Sequence, residues 1–295
     1  MTLINWLLLV LLGTIWGGSF MFAKVAIAEI PPLMLVFLRV LIAGLALHVV
    51  LRARGLSFPR TPKLLAAFLI MGLLNNAVPF SLLFWGQTEI SAALASILNA
   101  TTPIFTFMIA AVLLGQETVK LHRISGVLVG FAGVSLMLIP TISGIGHDPL
   151  WAQAACLGAA CSYGLAASFA RRFSDLSPLI SATGQLTGSS LIMLPLAIWS
   201  SAGWSPADVS VHVWLNVLAL GLLATAAAYL IYFKLLSEAG ATSASLVTLI
   251  VTAAAVLFGV TLLNESLTAY QLGGLAFLLL GLLILDGRIL KHFSR

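Results

Sequence analysis

Charge is scarce in this chain. Only 8% of its 295 residues are Asp, Glu, Lys or Arg, against roughly 25% in a soluble domain. Such a chain cannot cover itself with a water-facing surface, so a soluble globular protein is excluded. Cysteine is nearly absent as well. Cys156 and Cys161 are the two present, five apart in one apolar run; that is neither a metal-ligand nor a redox spacing, and they read as small packing residues. No Lys/Arg-rich start precedes the first apolar stretch, Thr2 to Ala23, and more such stretches follow at once. It therefore reads as a retained helix and not as a cleaved leader. Catalytic signatures are missing too. There is no H-E-x-x-H, no G-x-S-x-G and no pair of mid-span aspartates, and His48, His122, His147, His212 and His292 all fall at or near segment ends. Nothing here calls for an enzyme, a metal or another cofactor.

What is present is apolar length. Hydrophobic residues make up 61% of the chain, mean hydropathy is +1.12, and about 20 apolar residues cross the hydrocarbon core as a helix. Apolar runs between polar breaks give ten predicted helices, near 3–24, 33–51, 64–84, 91–114, 122–140, 150–170, 178–200, 212–233, 240–262 and 268–287. The predicted fold class is an all-α integral membrane protein with ten transmembrane helices and the lipid bilayer as its solvent. Lys and Arg are distributed unevenly between them. Twelve of the fourteen lie in the even-numbered loops and the C-terminal tail, leaving Lys24 at the end of helix 1 and Arg39 inside helix 2. This asymmetry places both termini and the even loops in the cytoplasm. It also accounts for the net charge of +5 as topology signals beside anionic headgroups, so no nucleic-acid partner is implied.

The chain also repeats itself. At an offset of 148, Gln116-Glu117 falls on Asn264-Glu265, Gly126 on Gly274 and Gly133 on Gly281; at 147, Trp16-Gly17 meets Tyr163-Gly164, Lys24 meets Arg171 and Pro31 meets Pro178. The repeats are 1–143 and 144–295. Each holds five spans, and five is odd, so the second half crosses the membrane in the opposite sense to the first. Inverted repeats of this kind rock about a central site near the midplane to give alternating access.

The segments "LLGTIWGGSFMFAK", "LRVLIAGLAL", "ASILNATTPIFTFMIAAVLLGQE" and "LVTLIVTAAAVLFGVTLLNESLTAYQLGGLAFLLLGLLIL" resemble the two EamA repeats of the drug/metabolite transporter superfamily. The resemblance covers essentially the whole chain. It implies an exporter of the bacterial inner membrane, most similar to the branch that moves amino acids and related metabolites outward. One departure is that the partner of Pro103 is Val251, where the family often repeats the proline, so the halves need not bend alike.

A transporter needs polar groups facing the bundle interior, because a polar group facing lipid is costly. Mid-span residues at helical spacing supply the candidates for substrate contact: Trp16 and Ser19 on helix 1; Asn75, Asn76 and Phe80 on helix 3; Ser96, Asn99, Thr102 and Pro103 on helix 4. Tyr163, Gln185, Tyr229 and Thr248 come from helices 6 to 9. Within helix 4, Asn99-Ala100-Thr101 matches a glycosylation acceptor but sits at mid-membrane, where no glycosyltransferase reaches. The proline explains its neighbours better. Pro103 lacks an N–H and crowds the carbonyl of Asn99, freeing a backbone acceptor that nearby hydroxyls can satisfy or leave to a ligand. All nine carboxylates fall at span ends or in loops, which argues against a proton relay through a buried acid. Arg39 and Lys24 can snorkel outward, and Arg39 reads as an anchor before a substrate contact. Glu117 and Glu265 read as caps or gate partners. Helices 5 and 10, rich in Gly and Leu, read as scaffold or as the face of a homodimer. A cavity of aromatics, amides and hydroxyls suits small neutral or zwitterionic solutes, amino acids above all.

Overall fold

The structure, a computed structural model, describes residues 2–115, 119–244 and 247–287. Ten apolar helical segments account for nearly all of it: α1 Leu3–Ala26, α2 Pro32–Ala53, α3 Pro62–Gly86, α4 Ala92–Val112, α5 Leu121–Ile142, α6 Leu150–Phe173, α7 Pro178–Ser200, α8 Val211–Leu235, α9 Val247–Leu262 and α10 Ala269–Asp286. No strand occurs among the described residues. The starts follow from local chemistry. Ser91 and Ser210 accept hydrogen bonds from Leu94 N (3.0 Å) and Val213 N (3.3 Å), and Thr268 and Gln271 form a reciprocal capping box at the head of α10. Proline opens α2, α3 and α7, where its missing N–H costs nothing. One boundary departs from the sequence reading. The helix of α8 continues to Ala244 through a stretch expected to break at 234–239, because Lys-Leu-Leu-Ser-Glu-Ala is built of ordinary helix formers. Glu117, Ser245 and the basic tail residues Arg288, Lys291 and Arg295 lie outside the described residues.

The helices pack as two interlocked halves. α1 lies against α9 and α8, and α6 lies against α4 and α3; α3 packs on α7, and α8 on α2; α2 pairs with α7, α4 with α9, and α5 with α10. Exchanging each helix for the one five places on maps this set of contacts onto itself. That is the signature of a pseudo-two-fold axis relating inverted repeats. Close approach makes the equivalence concrete. A Cβ on Gly17 would press on the backbone of α9 at Val251 O (2.7 Å), and one on its twin Gly164 would press on α4 at Thr106 N (2.9 Å). The α5–α10 seam is closer still, since Gly133 abuts Gly274 O and its twin Gly281 abuts Gly126 O, at 2.6 and 2.7 Å from the added carbon. Without a hydrophobic drive between helices in lipid, such contacts supply the packing. The periphery is the reverse of a soluble protein's, with Leu7, Leu45, Leu128, Ile198 and Leu257 all exposed to what would be hydrocarbon.

The seam yields a testable contrast. Gly281→Val places carbon against the backbone of Gly130 and Gly126 and should destabilise the fold by about 1–3 kcal/mol, read as a lower melting temperature in detergent. Gly273→Ala meets only the end of the Leu136 side chain, at 3.1 Å, and should leave the melting temperature nearly unchanged.

Candidate functional site

Helix α4 is not a kinked rod but two helices in series. The first, Ala92–Asn99, ends where Ala100 N donates to Ser96 O (3.0 Å) and to Ile97 O (3.1 Å), and Thr101 N reaches only three residues back, to Leu98 O (3.2 Å). The second begins at Thr102, so Pro103 falls within its first turn, where proline is tolerated. The freed acceptors are taken by the neighbouring hydroxyls: Thr102 Oγ1 donates to Asn99 O (2.7 Å) and Thr101 Oγ1 to Leu98 O (2.6 Å). Of the two uses open to the Asn99 carbonyl, it has the intramolecular one.

The broken helix lines a cavity of about 990 Å³ between the two halves. Trp16 and Ser19 of α1, Asn75 and Phe80 of α3, and Asn99, Thr102 and Pro103 of α4 border it. So do Tyr163, Gln185, Tyr229 and Thr248 from the second repeat. Asn75 Nδ2 joins three of these helices by donating to Gln185 Oε1 (3.0 Å) and Tyr229 Oη (3.4 Å). Two expected residues are elsewhere. Asn76 is fully buried away from the cavity with both amide atoms unpartnered, and Ser96 is buried with its hydroxyl donating to Ala93 O (2.9 Å). Asn76 is displaced because α3 carries a π-helical turn over Leu73–Ala77. The wider turn advances the cavity face by five residues, from Asn75 to Phe80, where regular spacing pointed to Asn76. Ser96 lies one turn before Asn99 in the same first helix, and its hydroxyl is spent on that helix's own backbone. Thr106 and Phe107 also line the cavity; the sequence reading passed over them, although they continue the helical spacing from Asn99 and Pro103.

Arg39 is the larger surprise. Its side chain does not snorkel outward but lies 6% exposed on the cavity wall. Its Nε donates to Thr225 Oγ1 (3.0 Å), and its Cζ stands 3.8 Å over the Phe80 ring and 5.7 Å from that of Phe84. Thr225 sits in a second π-helical segment, Ala219–Ala227, and is itself fixed by donating to Leu220 O (2.7 Å) five residues back. Of the three π-helical segments among the described residues, those at Leu73–Ala77 and Ala219–Ala227 serve the same wall, and such segments frequently mark functional sites.

At one end exposed residues line the cavity. There it is bordered by Arg123, by Ser174, Leu176 and Pro178 between α6 and α7, and by Leu283 and Asp286 near the end of α10. The opposite end is tied shut. Lys24 Nζ donates to Gln87 O (2.6 Å) and Ile90 O (2.9 Å), while Gln87 Nε2 donates to Phe20 O (3.0 Å). Glu265 accepts from the first two amides of α4, Ala92 N (2.6 Å) and Ala93 N (3.0 Å), where the helix dipole favours an anion. The chain is shaped for this contact. Asn264 turns through a left-handed conformation (φ 54°), and Gly259 leaves the space its carboxylate fills. Nearby, Asp148 accepts from Gln271 Nε2 (3.0 Å); burial pushes its carboxyl above the usual range, and this hydrogen bond opposes the shift.

The repeated halves agree with the comparison to known proteins. The model of the EamA-like transporter family matches residues 4–139 and again 150–285. The Bacillus subtilis protein YoaV, named an uncharacterized transporter, is 26% identical over 255 residues, covering 86% of this chain and 87% of that one. The Escherichia coli K12 protein YedA, named an inner membrane transporter, is 27% identical over 87% of this chain and 82% of its own. PagO of Salmonella typhimurium is 27% identical over 83% of this chain and 80% of its own. A solved crystal structure of a protein shares the fold over 100% of both chains, with a TM-score of 0.66 and 19% identity. Two matched repeats spanning almost the whole sequence establish that this chain belongs to the EamA-like transporter family.

Proposed function

We propose that the protein is a secondary exporter that carries small amphipathic metabolites, amino acids above all, from the cytoplasm outward by alternating access. The observation that carries the reading is a cavity of about 990 Å³ at the interface of two inverted repeats, bordered by exposed residues at one end and tied by hydrogen bonds at the other. Under the orientation set by the basic residues, the mouth faces the cytoplasm and the Lys24–Glu265 end faces outward, so the structure is the loading state. Rocking the halves would part Glu265 from the head of α4 and close the mouth at the 173–178 turn. The aromatic wall suits an apolar side chain, and the amides and hydroxyls suit the polar end of a small solute.

Three measurements test this. Counterflow in proteoliposomes against labelled amino acids, with and without a pH gradient, should show saturable exchange of at least one of them; no flux from folded protein would refute the reading. Glu265→Gln removes the charge from two hydrogen bonds at the closed end and should shift the population toward the outward-open state by about tenfold. External labelling of Ser19→Cys, with Cys156 and Cys161 replaced by alanine, reads that shift, and unchanged labelling counts against a gate. Pro103→Ala should change the exchange rate more than the melting temperature, because a continuous α4 would restore the missing hydrogen bond while removing the break.

A further inference from the structure

Arg39 carries a full charge into the interior of the bundle, and nothing among the described residues neutralises it. Among the described residues it forms no ion pair, and the ionisable groups that face it are the phenols of Tyr163 and Tyr229. Among the described residues the one carboxylate on the cavity wall, Asp286, lies at the mouth. A cation within a span is costly, and such residues normally pair with one another or with backbone. A purely structural arginine would be expected to bond carbonyls with its whole fork. This one uses a single N–H of its five.

How the rest is held decides what it can bind. Thr225 takes Nε (3.0 Å) and is locked in turn by Leu220 O (2.7 Å), while Phe80 covers one face of the guanidinium at 3.8 Å. The plane is therefore set, and the unpaired part is the end bearing the two Nη groups. Those nitrogens are not sealed in, as the amide of Asn76 is, but open to the cavity. Two parallel N–H donors in one plane match the two oxygens of a carboxylate.

Resting on the exporter reading, we propose that Arg39 is the specificity-determining residue of the cavity and that the cargo is a small organic carboxylate. Its carboxylate docks end-on against the Nη pair of Arg39, and its apolar body lies among Phe80, Phe84 and Tyr163. One buried cation balances one negative charge. A phosphate dianion leaves excess charge in the site, and a cationic drug is repelled by the guanidinium. Amino acids qualify through their carboxylate, and their amides do not.

The test compares each amino acid with its amide and with the matching acid that lacks the amino group, for the leucine, phenylalanine and glutamine series. Two readouts are used: the ligand-induced rise in melting temperature of purified full-length protein, and competition in counterflow. The two acids of at least one series should stabilise the protein and compete, with the amide about tenfold or more weaker. Arg39→Gln should abolish that discrimination between acid and amide. Arg39→Lys should keep part of it, since the charge remains without the planar fork. Amides that bind as well as acids, or discrimination that survives in Arg39→Gln, would overturn the proposal. Should Arg39→Gln not fold, the wild-type comparison and Arg39→Lys decide the matter. Acid-specific stabilisation without flux would leave Arg39 in this role and remove the exporter reading instead; flux with equal competition by the amides would do the reverse.

Discussion

Water is absent from the middle of a bilayer, so every backbone N–H and C=O there must find its partner within the protein. Each departure from regular helix in this chain is consistent with that demand. Where α4 breaks, the hydroxyls of Thr101 and Thr102 take the carbonyls of Leu98 and Asn99, and the break borders the cavity and not lipid. Where α8 widens into a π-helical segment, Thr225 bonds the carbonyl of Leu220 and then receives Arg39. At these two places the irregular backbone borders the cavity; the π-helical turn at Ile109–Leu113 contributes none of its lining.

The same solvent sets how the halves are joined. Lipid tails do not squeeze helices together, so association depends on close contact through small residues. Gly17 against α9 and Gly164 against α4 are one contact made twice, once in each repeat. An assembly built from equivalent interfaces has two related ways to tilt. The polar ties at the closed end are few, and they join elements that such a tilt would separate: Glu265 to the head of α4, and Lys24 to the end of α3. A permanent structural contact and a gate differ in this respect. The α5–α10 seam is dry, glycine-lined and backbone to backbone, whereas the outer closure is made of hydrogen bonds that water could replace.

Charge economy gives the cavity its chemistry. A chain with so few ionisable groups places Arg39 deep in the wall, stacks it on Phe80 and fixes one of its nitrogens with Thr225. Among the described residues no carboxylate is placed against it. Aromatic stacking and a hydroxyl can orient a guanidinium, but neither neutralises it, and this imbalance separates a ligand-directed arginine from a structural one.

Much of this was legible in one sequence because the bilayer imposes simple rules. Apolar length announces a span, and an odd number of spans per repeat requires inversion; neither depends on tertiary detail. Asn99, Thr102 and Pro103, picked out by their polar types at mid-span and their spacing, do border the cavity although α4 breaks between Asn99 and Thr102. The reading failed at Asn76 and Ser96. Of the two adjacent amides proposed on α3, the π turn at Leu73–Ala77 left Asn75 on the cavity wall and Asn76 off it, since an altered turn rotates everything beyond it; Ser96, one turn before Asn99, is buried instead. Arg39 could not be placed from sequence at all. A long side chain near a span end can reach headgroups or turn inward with equal ease, and that choice rested on Thr225 and Phe80, 186 and 41 residues away along the chain. Composition and parity determined the membrane, the spans and the repeat. Tertiary packing alone decided which polar groups meet across the cavity, because that depends on how helices distant in sequence are rotated against one another.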